Sequence, residues 1–250
     1  MRVHPADLVL WRDDSILVVN KPSGLATIPG GFDPGAPHLR GLLEDEFGPL
    51  WIVHRLDKET SGALLLARTA YAHRALNLQF EQRHVEKIYH ALVVGQPEWQ
   101  EEVASMRLRS NADRRHRTRV DQRRGKEALT ELRVLERFRN HALLEAIPRT
   151  GRSHQIRSHL AALGFPIVGD ELYGGGTGIL EQELPERRRN SRREESWYPE
   201  HEQSPRPLLD RTALHAHSLH FEHPLSGETM QVRAPYPSDL DRTIRRLRRA

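Results

Sequence analysis

Two short polar clusters, each flanked by apolar residues, hold the side chains best suited to chemistry. The first is Ile52-Val53-His54-Arg55-Leu56-Asp57-Lys58-Glu59-Thr60-Ser61-Gly62. Asp57 stands between two cations there, and nearby positive charge favours an ionised carboxylate. Such a group can act as a nucleophile, a base or a metal ligand. The alternative is a turn aspartate that only accepts hydrogen bonds from local backbone N–H groups.

The second cluster is Arg149-Thr150-Gly151-Arg152-Ser153-His154-Gln155-Ile156-Arg157-Ser158-His159. Several hydrogen-bond donors gather at the start of a helix predicted over 154–163, for which Ser153 is the predicted N-cap. The free N–H groups of a helix start attract anions. Arg157 lies three residues after His154, about one turn into the helix. The alternative is a solvated helix start without a ligand.

Short apolar runs separated by turn residues predict a sheet that positions both clusters. Strands are predicted in a hairpin at 7–20, at 63–67, 84–95 and 102–109, within 128–148, and in a hairpin at 213–221 and 228–234. Helices are predicted over 38–46, over 70–82 with Thr69 as the cap, over 154–163 and at the arginine-rich C-terminus. We therefore expect an α/β (α+β) fold with a mixed, largely antiparallel sheet, flanking helices and a central cleft.

The charge distribution points to a polyanionic partner. The formal net charge is only +4, but all except four of the 38 basic residues are arginines. Residues 107–126 alone hold nine basic residues against two aspartates, and 241–250 form a second basic stretch. Arginine forks onto phosphate oxygens, so these stretches suit a nucleic-acid backbone. The alternative is a compositional bias towards arginine.

The composition excludes several classes of protein and site. The chain has no cysteine, which rules out disulfides and thiolate chemistry. No apolar run has the length of a membrane helix, and the first residues lack the apolar core of a secretion signal. We expect a cytoplasmic protein with no membrane contact.

The 250 residues are expected to form a single catalytic domain over 1–250, with no separate N-terminal RNA-binding domain. Residues 174–211 begin with three glycines and carry many charges but few large apolar side chains, which predicts a polar insertion or disordered loop.

Five ordered segments resemble the motifs of the RluA-type RNA pseudouridine synthases. The first polar cluster resembles the family signature around its aspartate. The other matching segments are Asn20-Lys21-Pro22-Ser23-Gly24, Lys87-Ile88-Tyr89-His90-Ala91, Gly151-Arg152-Ser153-His154-Gln155-Ile156-Arg157 and Leu214-His215-Ala216-His217-Ser218-Leu219-His220-Phe221-Glu222-His223-Pro224. Together they span about residues 7 to 236. A single Arg-Leu-Asp would say little, whereas five segments in the same order are specific.

The resemblance implies that the protein converts uridine in structured tRNA or rRNA to its C-glycoside isomer, without a cofactor, nucleotide or metal. Asp57 matches the essential aspartate. It would attack C6 of the uracil or C1′ of the ribose, or assist glycal formation, and the sequence leaves these routes open. Each route breaks the N1–C1′ bond, turns the base and rejoins it at C5, so water must be excluded.

The resemblance also implies roles for the other motif residues. Arg157 would pair with Asp57, and Tyr89 would stack on the target base. Leu214 would close the pocket, with core packing as its alternative role. Arg55 would fill the space left by the flipped base, with a phosphate contact or a surface salt bridge as its alternative role. The remaining motif residues expected to bind substrate are Lys21, His54, Arg152, His154 and Gln155.

Two other classes of function compete with this interpretation. A non-catalytic RNA-binding or RNA-folding protein could keep the cleft, and a glycosidase-like hydrolase could use Asp57 with a second acid, although only Glu59 lies near in sequence. His215 and His217 share a strand face at a spacing that metal ligands can have, but nothing completes the set, so no metal is expected. We expect the protein to act as a monomer.

Overall fold

The computed structural model describes residues 4–29, 35–180 and 207–250, and confirms the predicted α+β class. The helices are a 3₁₀ turn at Pro5–Leu8, α1 Leu39–Phe47, α2 Ala70–Glu81, α3 Gln155–Ala162 and α4 Ser238–Leu247. The strands are β1 Val9–Arg12, β2 Ile16–Lys21, β3 Trp51–Ile52, β4 Ser61–Ala67, β5 Glu86–Val94, β6 Glu101–Arg109, β7 Arg119–Val120, β8 Lys126–Arg137, β9 His141–Pro148, β10 Ile179–Leu180, β11 Pro207–Leu209, β12 Leu214–Glu222 and β13 Thr229–Arg233.

Eleven of these strands form one sheet in the order β1-β2-β4-β12-β5-β9-β8-β6-β7, with β13 paired to β12 and β3 paired to β4. Every pair in this sheet is antiparallel except β12 with β4, which run parallel through His215 opposite Ser61 and Ala216 opposite Gly62. A Cβ on Gly62 would stand 2.2 Å from the Ala216 carbonyl oxygen, so only glycine allows this approach. The parallel contact places the end of the segment before β4 next to the start of β12, at Leu214.

The core lies on both faces of the central strands. Every residue of β4 is buried, and α2 covers this part of the sheet with Ala72 and Leu76. Tyr89 on β5 packs against two of the hydrophobic core clusters and therefore lies between them. None of the described helices is long and apolar enough to cross a membrane.

Most predicted elements are confirmed, including the hairpins and the helix capped by Thr69, whose side chain accepts the Ala72 N–H at 3.1 Å. The predicted cap of α3 is wrong. Ser153 is exposed, and the residue before the helix is His154, in a left-handed conformation (φ 51°) with no side-chain cap hydrogen bond. The Arg152 N–H is instead accepted by Gln155 Oε1 at 3.0 Å.

The ends of the predicted 174–211 insertion differ from an exposed loop. β10 pairs with β11, and Ile179, Leu208 and Leu209 are buried in the main core cluster. Burial of these apolar residues outweighs the polar composition of the segment as a whole. Residues 181–206 lie outside the described part of the chain.

Candidate active site

The two polar clusters meet in one cleft of about 520 Å³. The loop between β3 and β4 forms one wall, the start of β5 forms the floor, and the loop from β9 into α3 forms the opposite wall. Nine of the ten predicted site residues line this cleft: His54, Arg55, Asp57, Tyr89, Arg152, His154, Gln155, Arg157 and Leu214.

Asp57 lies in the β3–β4 loop, where its carbonyl accepts the Thr60 N–H at 3.1 Å and closes a turn. Its side chain is 26% exposed. Oδ2 lies 3.8 Å from Arg157 Nη1 and 3.8 Å from His154 Nε2. Because both neighbours face the same oxygen, Oδ1 is left without an ion pair among the described residues. The arrangement orients one carboxylate oxygen and leaves the other available for a reacting atom.

Arg157 has a stronger partner than the sequence analysis anticipated. Its Nε and Nη2 donate to the two carboxylate oxygens of Asp170 at 2.7 and 2.8 Å. Its guanidinium also lies over the Tyr173 ring, 5.1 Å from the centroid. Burial alone would lower the pKa of Arg157, but the hydrogen bonds and charge of Asp170 raise it. Asp170 therefore fixes the guanidinium as a cation and leaves Nη1 to face Asp57.

Tyr89 and Leu214 supply the apolar part of the cleft. They lie on the neighbouring strands β5 and β12, where Leu214 pairs with Ala91 and Ala216 pairs with Tyr89. Burial raises the pKa of Tyr89, and the charge of Asp57 raises it further, so the hydroxyl stays protonated. Leu214 is buried. A flat ring beside a buried leucine suits an unstacked base.

Arg55 and Arg152, at the mouth of the cleft, differ in how many hydrogen bonds they make within the protein. Arg55 is exposed and has no ion pair or hydrogen bond within the described residues. Arg152 is half-buried and donates from Nε to the Glu127 carbonyl at 3.1 Å. Both side chains can therefore present N–H groups to an anion at the mouth of the cleft.

His54 is part of the cleft wall as a neutral ring. Its Nε2 accepts the Leu65 N–H at 3.0 Å, and the ring stacks on Phe80 with centroids 4.8 Å apart. Burial, with the nearby charge of Lys87, lowers the pKa of His54 to about 3. The ring thus links the Asp57 loop to β4 and offers the substrate an uncharged surface.

Lys21 does not reach the cleft, which corrects its prediction as a substrate-binding residue. It is fully buried, and Nζ donates to the carbonyls of Pro22, Leu25 and Lys58 at 2.8, 2.7 and 3.1 Å. Burial lowers the pKa of Lys21 to about 8, against the opposing charges of Glu59 and Asp57. Its three donors are occupied, so Lys21 holds the loop that follows Asp57.

Gln155 lines the cleft, and its hydrogen-bonding groups are all occupied within the protein. Its Oε1 accepts from the Thr150 hydroxyl and the Arg152 N–H at 2.7 and 3.0 Å. Its Nε2 donates to the Leu129 carbonyl and Thr130 Oγ1, both at 2.9 Å. The side chain joins the loop before α3 to β8.

Three further residues matter that the sequence analysis did not single out. Asp170 and Tyr173 follow the apolar pair Ile167-Val168 and Gly169, and a buried apolar pair ended by glycine is a sequence signal for a turn. Lys87 lines the cleft two residues before Tyr89 on β5, and burial lowers the pKa of its ammonium group. Within the described residues, Lys87 Nζ has no ion pair.

The basic stretch 107–126 runs from the last residues of β6 through β7 to the first residue of β8. Two aspartates neutralise part of its charge: Asp113 contacts Arg117 and Arg119 at 2.7 and 3.1 Å, and Asp121 contacts Arg109 at 3.3 Å. Exposed arginines without an ion pair inside the described chain remain at 114, 115, 123 and 124. These four side chains are free to meet a polyanion.

The histidines on β12 take part in protein contacts. The His215 ring lies between Ser61 Oγ at 2.9 Å and the Ala234 carbonyl at 3.2 Å, which occupies both nitrogens. His217 stacks on His90 with ring centroids 4.0 Å apart. Within the described residues, no group of three or more potential ligands is placed to hold a metal ion.

Comparison with known proteins shows which family this chain is similar to. The model of the RNA pseudouridylate synthase family matches residues 15–162. The ribosomal large subunit pseudouridine synthase D of Xanthomonas campestris is 39% identical over 96% of the chain and 69% of its own length. The ribosomal large subunit pseudouridine synthase C of Escherichia coli K12 is 38% identical over 98% of the chain and 71% of its own length.

Two solved structures have folds similar to that of this chain. Human RNA pseudouridylate synthase domain containing 1 has a TM-score of 0.69 and 27% identity over 97% of this chain and 94% of its own. Human RNA pseudouridylate synthase domain containing 4 has a TM-score of 0.72 over 98% of this chain and 95% of its own, and its 24% identity supports the fold alone.

Proposed function

The chain belongs to the RluA-type RNA pseudouridylate synthase family and is an isomerase of uridine in RNA, and from that premise we propose that its substrate is large-subunit ribosomal RNA and that Asp57 is its catalytic carboxylate. The observation that carries the catalytic role is the shared orientation of Arg157 and His154 towards Oδ2 of Asp57. The relatives in Xanthomonas campestris and Escherichia coli are ribosomal large subunit pseudouridine synthases, which supports ribosomal RNA over tRNA. We further propose that the protein acts as a cytoplasmic monomer without a cofactor.

The proposed mechanism begins with a target uridine that has left its helix, because a stacked base cannot enter the cleft. Extrusion costs a few kcal/mol. Arg55 at the rim would fill the vacated space, and Arg152 and Lys87 would contact the phosphates beside the flipped nucleotide. Tyr89 would then stack on the uracil, and Leu214 would close the pocket behind it.

The free Oδ1 of Asp57 would react at C1′ of the ribose or C6 of the uracil, or assist formation of a glycal. The N1–C1′ bond breaks, the base turns on Tyr89, and a new bond forms between C5 and C1′. The bond from Oδ1 to carbon then breaks, or on the glycal route the proton taken from the ribose returns, so that the carboxylate is regenerated. C5 then loses its proton and N1 gains one, so the product is an isomer of the substrate. A pocket that excludes water keeps the cleaved base from escaping during this rotation.

Mapping of pseudouridines tests the proposed substrate. In cells that lack this gene, a pseudouridine in large-subunit ribosomal RNA should disappear, and the wild-type gene should restore it. The measurement is chemical probing of pseudouridine in total RNA. A loss confined to tRNA would overturn the proposed substrate, while the family activity would stand.

The free arginines of the basic stretch should contribute to the salt dependence of RNA binding. We expect R114Q/R115Q to weaken binding and to reduce the slope of log K against log salt concentration by roughly 0.7 to 0.9 for each lost phosphate contact. The control is R12Q/R74Q, which removes the same charge from two exposed arginines outside the cleft and the basic stretch. Equal slopes for both double variants would place the RNA elsewhere.

A further inference from the structure

Tyr173 contacts both groups that face Asp57. Its ring lies beneath the Arg157 guanidinium, 5.1 Å away, and meets the His154 ring edge-on with centroids 5.7 Å apart. Its hydroxyl oxygen lies 3.0 Å from His154 Nδ1. One side chain therefore supports the cation and the imidazole that share Oδ2.

The Tyr173 hydroxyl has a second partner besides His154 Nδ1, which is Thr118. The Thr118 N–H donates to the Tyr173 oxygen at 2.7 Å, and Thr118 is itself buried. Burial raises the pKa of Tyr173, so the hydroxyl keeps its proton. The Thr118 N–H takes one acceptor position of the oxygen, and a hydroxyl proton that points to His154 Nδ1 would make this nitrogen the acceptor.

The surroundings of His154 favour the matching tautomer. Burial lowers the pKa of His154, and the charge of Asp57 opposes this, so the ring is neutral at pH 7 and carries one N–H. With Nδ1 as acceptor, the proton is on Nε2 and points at Asp57 Oδ2, 3.8 Å away. The other tautomer would turn a lone pair towards the carboxylate. The other charged groups around the ring are Arg157, Asp170 and Arg55.

The backbone conformation of His154 indicates that the surrounding structure fixes the position of this residue. Its φ of 51° is a left-handed conformation that costs a non-glycine residue free energy and persists where the surroundings fix it. Because His154 makes no cap hydrogen bond to α3, its ring is free to point at Asp57 and Tyr173.

We propose that Tyr173 is a positioning residue of the isomerase: its hydroxyl holds His154 in the Nε2–H tautomer, aimed at Asp57 Oδ2, so that Oδ1 is left to react. The inference rests on the proposed role of Asp57. It assigns His154 to the orientation of the carboxylate and extends the site to Thr118, next to the basic strand β7.

The test is Tyr173→Phe, which keeps the ring beneath Arg157 and removes only the hydroxyl. We expect kcat to fall roughly 10-fold, the effect of losing one orienting hydrogen bond, with the RNA dissociation constant within about 2-fold of wild type because the phosphate-contacting residues are untouched. The hydroxyl stabilises the neutral ring, so its loss should raise the pKa of His154 and move the acidic limb of the kcat profile to higher pH. The control is Tyr71→Phe on the exposed face of α2, which should leave all of these unchanged.

The tautomer is read directly from the imidazole ¹⁵N chemical shifts of the RNA-free protein. His154→Gln identifies the His154 signals among the 15 histidines. Wild type should carry the proton on Nε2, and Tyr173→Phe should give a mixture of tautomers. In the His154→Gln background, Tyr173→Phe should cost little further kcat, since the two act together.

A proton on Nδ1 in the wild-type protein would overturn the inference, as would an unchanged kcat for Tyr173→Phe, and the first measurement needs no variant of Tyr173. These failures are distinct from failure of the proposed function. Turnover by an Asp57→Asn enzyme would refute the role of Asp57, whereas the ¹⁵N spectrum of the free protein does not depend on it.

Discussion

Replacing Asp57 by asparagine should abolish the isomerisation of uridine while the protein still binds RNA. The amide has the size of the carboxylate but cannot attack carbon, so kcat should fall by at least roughly 10⁴-fold, as expected when a nucleophile is removed. Affinity should change within about 3-fold, because binding depends on phosphate contacts elsewhere. Single-turnover assays on the mapped RNA and filter binding at fixed salt measure the two quantities separately.

The matched control is Asp14→Asn, an exposed aspartate in the turn between β1 and β2. It should retain full turnover. If Asp57→Asn kept turnover within about 10-fold of wild type, the carboxylate would not be the reacting group. The variant also tests the competing role in RNA folding: if the gene carrying Asp57→Asn corrected a growth defect without restoring pseudouridine, the protein would act on RNA apart from the isomerisation.

The strands and helices were predictable because their signals are local. α2 shows this: Thr69 caps it, and Ala72 and Leu76 recur on its buried face. The start of α3 was not predictable in the same way. Ser153 has the right chemistry for a cap, yet the residue before the helix is His154, in a left-handed conformation and with its ring bonded to Tyr173, 19 residues further along. A contact between distant segments overrides a local preference there.

The site was predictable as a set of segments but not as a set of roles. A motif match brings Lys21 and Gln155 together with Asp57, yet it does not distinguish a side chain that binds substrate from one that supports a loop. That distinction depends on whether the hydrogen-bonding groups of the side chain are already bonded within the protein. Lys21 gives all three of its hydrogen bonds to backbone carbonyls, and Gln155 is fully bonded to its neighbours.

Asp170→Asn should destabilise the protein and inactivate it together. The Asp170 side chain is 0% exposed and the Arg157 side chain 7%, so the change leaves a buried guanidinium without its counter-charge. Removing one partner of a buried ion pair typically costs about 3–5 kcal/mol of unfolding free energy. Arg157 would also lose at least one of the two hydrogen bonds that hold Nη1 towards Asp57, because the amide of asparagine keeps only one acceptor oxygen. The kcat of the folded protein should therefore fall. Urea denaturation and single-turnover rates in the native range measure the two effects.

A second bidentate pair in the same chain provides the control. Arg211 donates to both oxygens of Asp239 at 2.6 and 2.9 Å, but Asp239 is 29% exposed and neither residue lines the cleft. The carboxylate that is lost is partly solvated, and Arg211 keeps a hydrogen bond from Nη1 to the Thr212 carbonyl at 3.1 Å. Asp239→Asn should therefore cost only about 1 kcal/mol, near the upper end for exposed pairs, and should leave kcat unchanged. If the two variants lost equal stability, burial would not govern the Asp170 pair. If Asp170→Asn remained fully active, the orientation of Arg157 would depend on Tyr173 and the helix α3 rather than on its ion pair.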